Sequence, residues 1–282
     1  MRDVAVIGAG ELGGMCAHVL ARRQIAAAIH LIDAEGTIAS GKALDISQAA
    51  PIESFATLVT GAADLATAAG SDAIVVADRA DRARAGDWAD DELLPILERL
   101  ARAAPRAVIV CAGANSREVV ERGVRERRLD RARLVGTAPE ALASAVRALV
   151  ALEAGASPRD VSLTVLGVPP SRVVVPWEEA LVGGIPLAGA IDETARRRLV
   201  ARLPALWPPG PYALASAAAL AVEALAGRSR RSLSAFVAPD DSLGRKARAV
   251  AVPVRLGPDG ATPLALALNA RDQVAFDNAR LL

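Results

Sequence analysis

Val4-Ala5-Val6-Ile7-Gly8-Ala9-Gly10-Glu11-Leu12-Gly13-Gly14 is the stretch on which the reading of the whole chain turns. Four apolar residues with strand preference run directly into three glycines at Gly-x-Gly-x-x-Gly spacing. An Ala-rich segment with helical periodicity, Leu12 to Arg22, follows. The order is strand, tight turn, helix. Gly8 permits the turn, Gly10 lets the backbone approach a pyrophosphate with no side chain between, and Gly13 lets the helix pack closely on the strand. The anion sits at the helix N-terminus, where unpaired N–H groups and the helix dipole favour negative charge.

A second apolar run, Ala28-Ile29-His30-Leu31-Ile32, ends in Asp33, 20 positions after Gly13. An acid at that point of a dinucleotide fold accepts the ribose hydroxyls of NAD and repels the extra phosphate of NADP. The expected cofactor is therefore NAD. Its expected contacts are Gly8, Gly10, Glu11, Leu12 and Gly13 on the turn, Asp33 after the second strand, and Ala77 at the end of the buried strand Ala73–Ala77.

Composition narrows the rest. With 282 residues and 52% of them hydrophobic, the chain can bury a full core in one large or two smaller lobes. Net charge is +1 with acids and bases interspersed, which argues against nucleic acid or an anionic membrane surface as partner. Only two lysines, Lys42 and Lys246, stand among the basic residues. The two cysteines, Cys16 and Cys111, form neither a disulfide framework nor a metal set and read as buried packing residues. No charged-then-apolar leader precedes the first strand and no apolar run reaches spanning length, so the expectation is a soluble cytoplasmic protein.

Taken in order, the chain alternates strands and helices through its first half. Helix is expected over Ile38–Ala49, ended by Pro51, with a strand over Ala56–Thr60. Buried strands follow at Ala73–Ala77 and Ala107–Cys111, with helices over Asp90–Ala103 and Asn115–Arg127 and a short strand at Arg133–Val135. This is an α/β, doubly wound parallel sheet of Rossmann type over residues 1–140. A helix from Pro139 to Glu153, closed by Gly155, leads into an α+β half, residues 141–282, with antiparallel strands. Strands are expected at Val161–Leu166, Val173–Val175, Ser232–Ala238 and a hairpin over Val250–Leu268 that turns at Gly257-Pro258-Asp259-Gly260. Helices are expected over Asp192–Leu203, Tyr212–Ala226 and, capped by Asn269, on to Leu281.

The landmarks Gly8-Ala9-Gly10-Glu11-Leu12-Gly13, Gly41-Lys42-Ala43-Leu44-Asp45, Ser157-Pro158-Arg159-Asp160-Val161, Val165-Leu166-Gly167, Gly184-Ile185-Pro186-Leu187 and Val252-Pro253-Val254 with Leu268-Asn269 occur in one order along essentially the whole chain. In that order and spacing the chain resembles the NAD-dependent L-lactate/malate dehydrogenase family. The resemblance implies a homodimer or homotetramer and a site for a small 2-hydroxy acid.

It also says which polar residues that chemistry requires, and most are replaced. The family's proton-transferring histidine lies in a Gly-x-His-Gly-Asp turn. The corresponding turn here is one residue longer, so the position falls on Pro169 counting from Gly167 and on Pro170 counting back from Pro176. The only histidines, His18 and His30, lie in the nucleotide half and read as packed or surface imidazoles. The aspartate that orients the family's histidine is Ala143 here, and the arginine that clamps the substrate carboxylate is Val146. Arg147 is one helical residue, about 100°, away and reads as a solvated side chain.

On the loop after the buried strand Ala73–Ala77, Arg84 or Arg82 stands for the family's carbonyl-polarising arginine, and the second substrate arginine falls at Ala89 or Asp90. The family's Asn-Pro is Ala112-Gly113. Between Leu187 and Tyr212 the chain is shortened and broken by prolines. The family's Thr-Ala-Gly beside the cofactor is Ala77-Asp78-Arg79. There either Arg79 pairs with the pyrophosphate, or its bulk and the charge of Asp78 obstruct the site.

Three readings follow. In the first, the chain binds NAD(H) but does not carry out ordinary 2-hydroxy acid oxidoreduction. In the second, it is an NAD-dependent oxidoreductase with a rebuilt site, using Arg84 or Arg172 to hold an anion and Asp78 or Glu178 to move a proton. In the third, the cofactor site is also lost and only the assembly surface remains.

Overall fold

The computed structural model describes residues 1–80, 88, 90–240 and 248–281. Six short aliphatic runs form the parallel strands β1 (Asp3–Ile7), β2 (Ala28–Ile32), β3 (Leu58–Ala62), β4 (Ala73–Val76), β5 (Val108–Cys111) and β6 (Leu134–Gly136). They lie in the order β3-β2-β1-β4-β5-β6. Parallel neighbours need crossovers, which helices α1 (Glu11–Arg22), α2 (Gly36–Glu53), α3 (Asp90–Ala103) and α4 (Ser116–Arg127) provide.

Both faces of this sheet are covered, and the period of two in a strand assigns the residues. Val4, Val6, Ala73 and Val75 pack with α1 and α2 on one face. Ala5, Ile7, Ile74 and Val76 pack with Leu94 and Leu97 of α3 and Val120 of α4 on the other.

Helix α5 (Ala138–Ala154) carries the chain onward and closes on Gly155, whose left-handed φ of 62° lets its N–H return to Ala151. The second half then contributes β7 (Val161–Ser162), β8 (Leu166–Val168), β9 (Arg172–Val174), β10 (Leu181–Val182), β11 (Ile185–Pro186) and helices α6 (Leu187–Ala190), α7 (Glu193–Arg202) and α8 (Pro211–Leu225). It ends with β12 (Leu233–Val237), β13 (Val250–Gly257), β14 (Gly260–Pro263) and α9 (Ala270–Ala279). β12 joins β6 antiparallel, so the sheet continues as β12-β13-β8-β9 with β14 beside β13. A small sheet β11-β10-β7 stands apart. The fold is thus a Rossmann-type doubly wound sheet followed by an α/β half with antiparallel strands.

Ala-rich α8 shares the main core with α1, where small side chains permit close helix approach, and Arg23 clasps Glu223 across the pair at 3.3 Å. A separate apolar cluster fills the second half, built from Leu142, Val146 and Val150 of α5, Val161, Val165, Val175 and Leu199 of α7.

Several boundaries differ from expectation. Pro51 does not end α2, which runs to Glu53. A proline forfeits only its own N–H, and the amides of Ser54 and Phe55 both return to the Ala50 carbonyl. β3 starts at Leu58 instead of Ala56: ahead of the ladder the Ala56 N–H donates to Gln24 Oε1, and the Thr57 hydroxyl donates to the Ala21 and Ala26 carbonyls. The expected strand Val161–Leu166 splits in two: the Leu163 carbonyl accepts from Arg147 and the Val165 N–H donates to Ser234 Oγ, so neither joins a ladder. The last hairpin stops at Pro263, well short of Leu268, and the chain leaves after Leu264 N–H reaches Pro253.

Candidate functional site

The strand order reverses between β1 and β4, and at such a switch point the crevice beyond the carboxyl ends of the strands takes the ligand. Ladder bonds continue one residue past each strand. Gly8 N–H reaches Ile32 O at 2.7 Å, Ala77 N–H reaches Ile7 O at 2.8 Å and Ala112 N–H reaches Val76 O at 2.8 Å. Gly8, Asp33, Ala77 and Ala112 are therefore level along this edge.

Gly8 has φ +97°, a conformation that disfavours any side chain, and a Cβ on Gly13 would lie 1.9 Å from the Gly8 carbonyl oxygen. Turn and close helix–strand packing are thus both glycine-dependent. Between them, Leu12 is buried and Glu11 exposed in the first turn of α1.

Gly10 is different, because the group it clears space for is already part of the protein. A Cβ at Gly10 would lie 2.3 to 2.5 Å from the carboxylate carbon and both oxygens of Asp78. That carboxylate accepts the Gly13 N–H at 2.9 Å, and Gly10 N–H donates to the Asp78 backbone carbonyl at 3.0 Å. Asp33, 5% exposed, is also engaged: Oδ2 accepts from Ala9 N–H at 2.7 Å and from Ala80 N–H at 2.9 Å, and Oδ1 from Glu35 N–H at 2.9 Å.

Arg79 points away from the glycine turn. It pairs with Glu92 at 2.7 Å and lies over the ring of Trp88, whose indole N–H holds the Ala77 carbonyl. Lys42, which sequence reasoning used only as a landmark, extends its ammonium to the Gly10 carbonyl. Its only sequence signal is its place on the helix that follows Asp33.

In the second half, the positions that the resemblance singles out hold apolar residues here. Ala143 and Val146 are fully buried in the cluster described above. Pro169 is buried and Pro170 exposed at the β8–β9 turn. His30 lies within β2, its Nδ1 at 2.9 Å from Thr60 Oγ1, as befits a packed strand residue.

Arg147, expected in solvent, is instead largely buried. It pairs with Glu140 at 2.6 Å and donates to the Leu163 carbonyl, while Glu140 also accepts from Ser234 N–H at 2.8 Å. Seven residues separate Glu140 from Arg147, two helical turns on one face, and that spacing was the available signal. Arg172 and Glu178 are exposed, and Arg84 and Arg82 lie outside the described residues. Both thiols are buried. Burial, with the Asp78 charge nearby, pushes Cys16 far up, and burial pushes Cys111 up to about 12.

Comparison with known proteins agrees with this architecture. Residues 2–95 match the model for the lactate/malate dehydrogenase NAD binding domain. The malate dehydrogenase of Thermomicrobium roseum is 32% identical over 92% of this chain and 88% of its own length. That of Dehalococcoides mccartyi is 31% identical over 98% and 96%. Among solved structures, malate dehydrogenase from Salinibacter ruber superposes with TM-score 0.86 at 25% identity, covering 99% of this chain and 94% of that one. Lactate dehydrogenase from Cryptosporidium parvum, complexed with lactic acid and nicotinamide adenine dinucleotide, gives 0.84 at 25%, with the same coverage.

The glycine turn is therefore that of an NAD-binding domain. Its side-chain-free face, the amides opening α1 and a carboxylate ending β2 fit the dinucleotide. Asp78, in its present place, does not.

Proposed function

This chain belongs to the lactate/malate dehydrogenase family, and we propose that within it the protein binds NAD(H) without carrying out ordinary oxidoreduction of malate or lactate. Gly8, Gly10, Glu11, Leu12, Gly13, Asp33 and Ala77 are the proposed cofactor contacts. Residues 1–140 act as the nucleotide half and 141–282 as the half that covers it.

One observation carries the reading. Hydride transfer to a 2-keto acid needs a proton delivered to the carbonyl oxygen and a cation on the carboxylate, and the positions that correspond by resemblance hold proline, Ala143 and Val146. Ala143 and Val146 are sealed in an apolar cluster, where a charge without a partner would be costly. The neighbouring cation, Arg147, is neutralised by Glu140. A general acid/base contributes roughly 10² to 10⁴ in rate, and a preorganised charge a comparable factor, so their joint loss leaves little of the ordinary reaction.

The protein is further proposed to be cytoplasmic and to assemble as a homodimer or homotetramer, which light scattering reads directly. Among the described residues, no helix is long and apolar enough to cross a membrane.

The test is a pair of measurements on the purified, untagged protein. NADH should raise its melting temperature, while oxaloacetate, pyruvate, malate and lactate should give no turnover above background. Robust reduction of oxaloacetate or pyruvate would overturn the proposal.

A further inference from the structure

Among the described residues, one contact stands directly in the way of the family's cofactor. The carboxylate of Asp78 rests against the bare face of Gly10 and takes the Gly13 N–H, the position a dinucleotide phosphate needs at the start of α1. The backbone around it is tied down at both ends. Gly10 N–H binds the Asp78 carbonyl, and Ala80 N–H binds Asp33, the acid expected to receive the ribose. With the amides of Ala9 and Glu35 also bound, Asp33 has three of its roughly four acceptor positions filled.

A cation is already in place nearby. The Lys42 ammonium lies on the Gly10 carbonyl, 3.5 Å from where a Gly14 Cβ would stand, and no described carboxylate pairs with it. Arg79, the other basic group close by in sequence, is occupied by Glu92.

We propose that Asp78 is an internal competitor of the dinucleotide pyrophosphate: the 78–80 strap closes the cradle with a carboxylate, and NAD(H) binds by displacing it, the phosphates then meeting the α1 amides and Lys42. The inference rests on the NAD-binding reading above. It deepens that reading by naming what holds the affinity down. A carboxylate and a pyrophosphate cannot share one amide, and leaving them adjacent adds like-charge repulsion. Charge-assisted hydrogen bonds of this kind correspond to roughly 10- to 100-fold in binding.

The experiment is calorimetric titration of NADH into the full chain and into Asp78→Ala and Asp78→Asn, with circular dichroism as the check on folding. The Ala variant should bind at least 10-fold more tightly than the parent. The Asn variant, isosteric but uncharged, should fall between and keep the test valid if Ala fails to fold. Equal affinities within about threefold would overturn the competitor role and leave NAD binding standing. No binding by any folded form at millimolar NADH would overturn both, since vacating the cradle would then have released no site.

Discussion

Replacing Glu140 with alanine tests the arrangement that keeps Arg147 out of chemistry. The carboxylate holds the guanidinium at 2.6 Å and the Ser234 amide at 2.8 Å, and only 14% of the Arg147 side chain and 4% of Glu140 are exposed. Glu140→Ala leaves a nearly buried cation without its counter-charge and a buried N–H without an acceptor. Breaking such a pair costs about 3–5 kcal/mol, and an unmet amide about 1–3 kcal/mol. The two penalties overlap and Arg147 keeps a little exposure, so we expect about 4 kcal/mol in all.

At about 2–4 °C per kcal/mol for a domain of this size, the melting temperature should fall by about 8–16 °C. Urea unfolding followed by circular dichroism at neutral pH reads the free energy, and calorimetry reads the melting point. The double variant Glu140→Leu/Arg147→Met, which removes both charges and keeps the volume, should lose much less than the single changes summed. A loss below about 1 kcal/mol for Glu140→Ala, or full additivity in the double variant, would refute the reasoning. The pair would then be a screened surface contact, and Arg147 would be available to an anionic substrate.

Three further outcomes follow from the glycine turn and the thiols. Gly13→Ala sets a methyl 1.9 Å from the Gly8 carbonyl oxygen, a backbone atom that cannot rotate aside, so α1 must shift; we expect a loss of about 3 kcal/mol or failure to fold, and a melting point within 2 °C of the parent would contradict it. Cys16 and Cys111 should resist an aromatic disulfide reagent at pH 8 until the protein is unfolded, because burial keeps both protonated. Their folded values lie above the ordinary 9.0, so the stability they contribute is intact below pH 9 and is lost as pH climbs, up to about 12 for Cys111 and further for Cys16, at up to about 1.4 kcal/mol per pH unit for each thiol. Rapid labelling of the native protein, or stability flat over that window, would sink the assignment.

Much of the fold was legible because local chemistry and tertiary structure agree. An apolar run meeting glycines, buried strands of four aliphatic residues and the caps at Gly155 and Asn269 each have one cheap conformation. Two of the boundaries that moved involve distant partners, whereas α2 runs past Pro51 through contacts within its own last turn. Thr57 reaches back to Ala21 and Ala26, and Ser234 reaches across to Val165 at a separation of 69 residues. No window of sequence contains both partners of such a bond.

The candidate site divides along the same line. Residue type and spacing gave the glycine cradle, Asp33 and the absence of histidine beyond position 30; that apolar side chains stand where charge is wanted is what the resemblance implies. Tertiary structure alone decided which way the ambiguous charges point. Asp78 turned into the cradle because three glycines leave room and amides there, Arg79 turned to Glu92 and Trp88, and Arg147 folded inward to Glu140. A long or charged side chain goes where burial and its partners together cost least, and that balance exists only once the chain has closed around it.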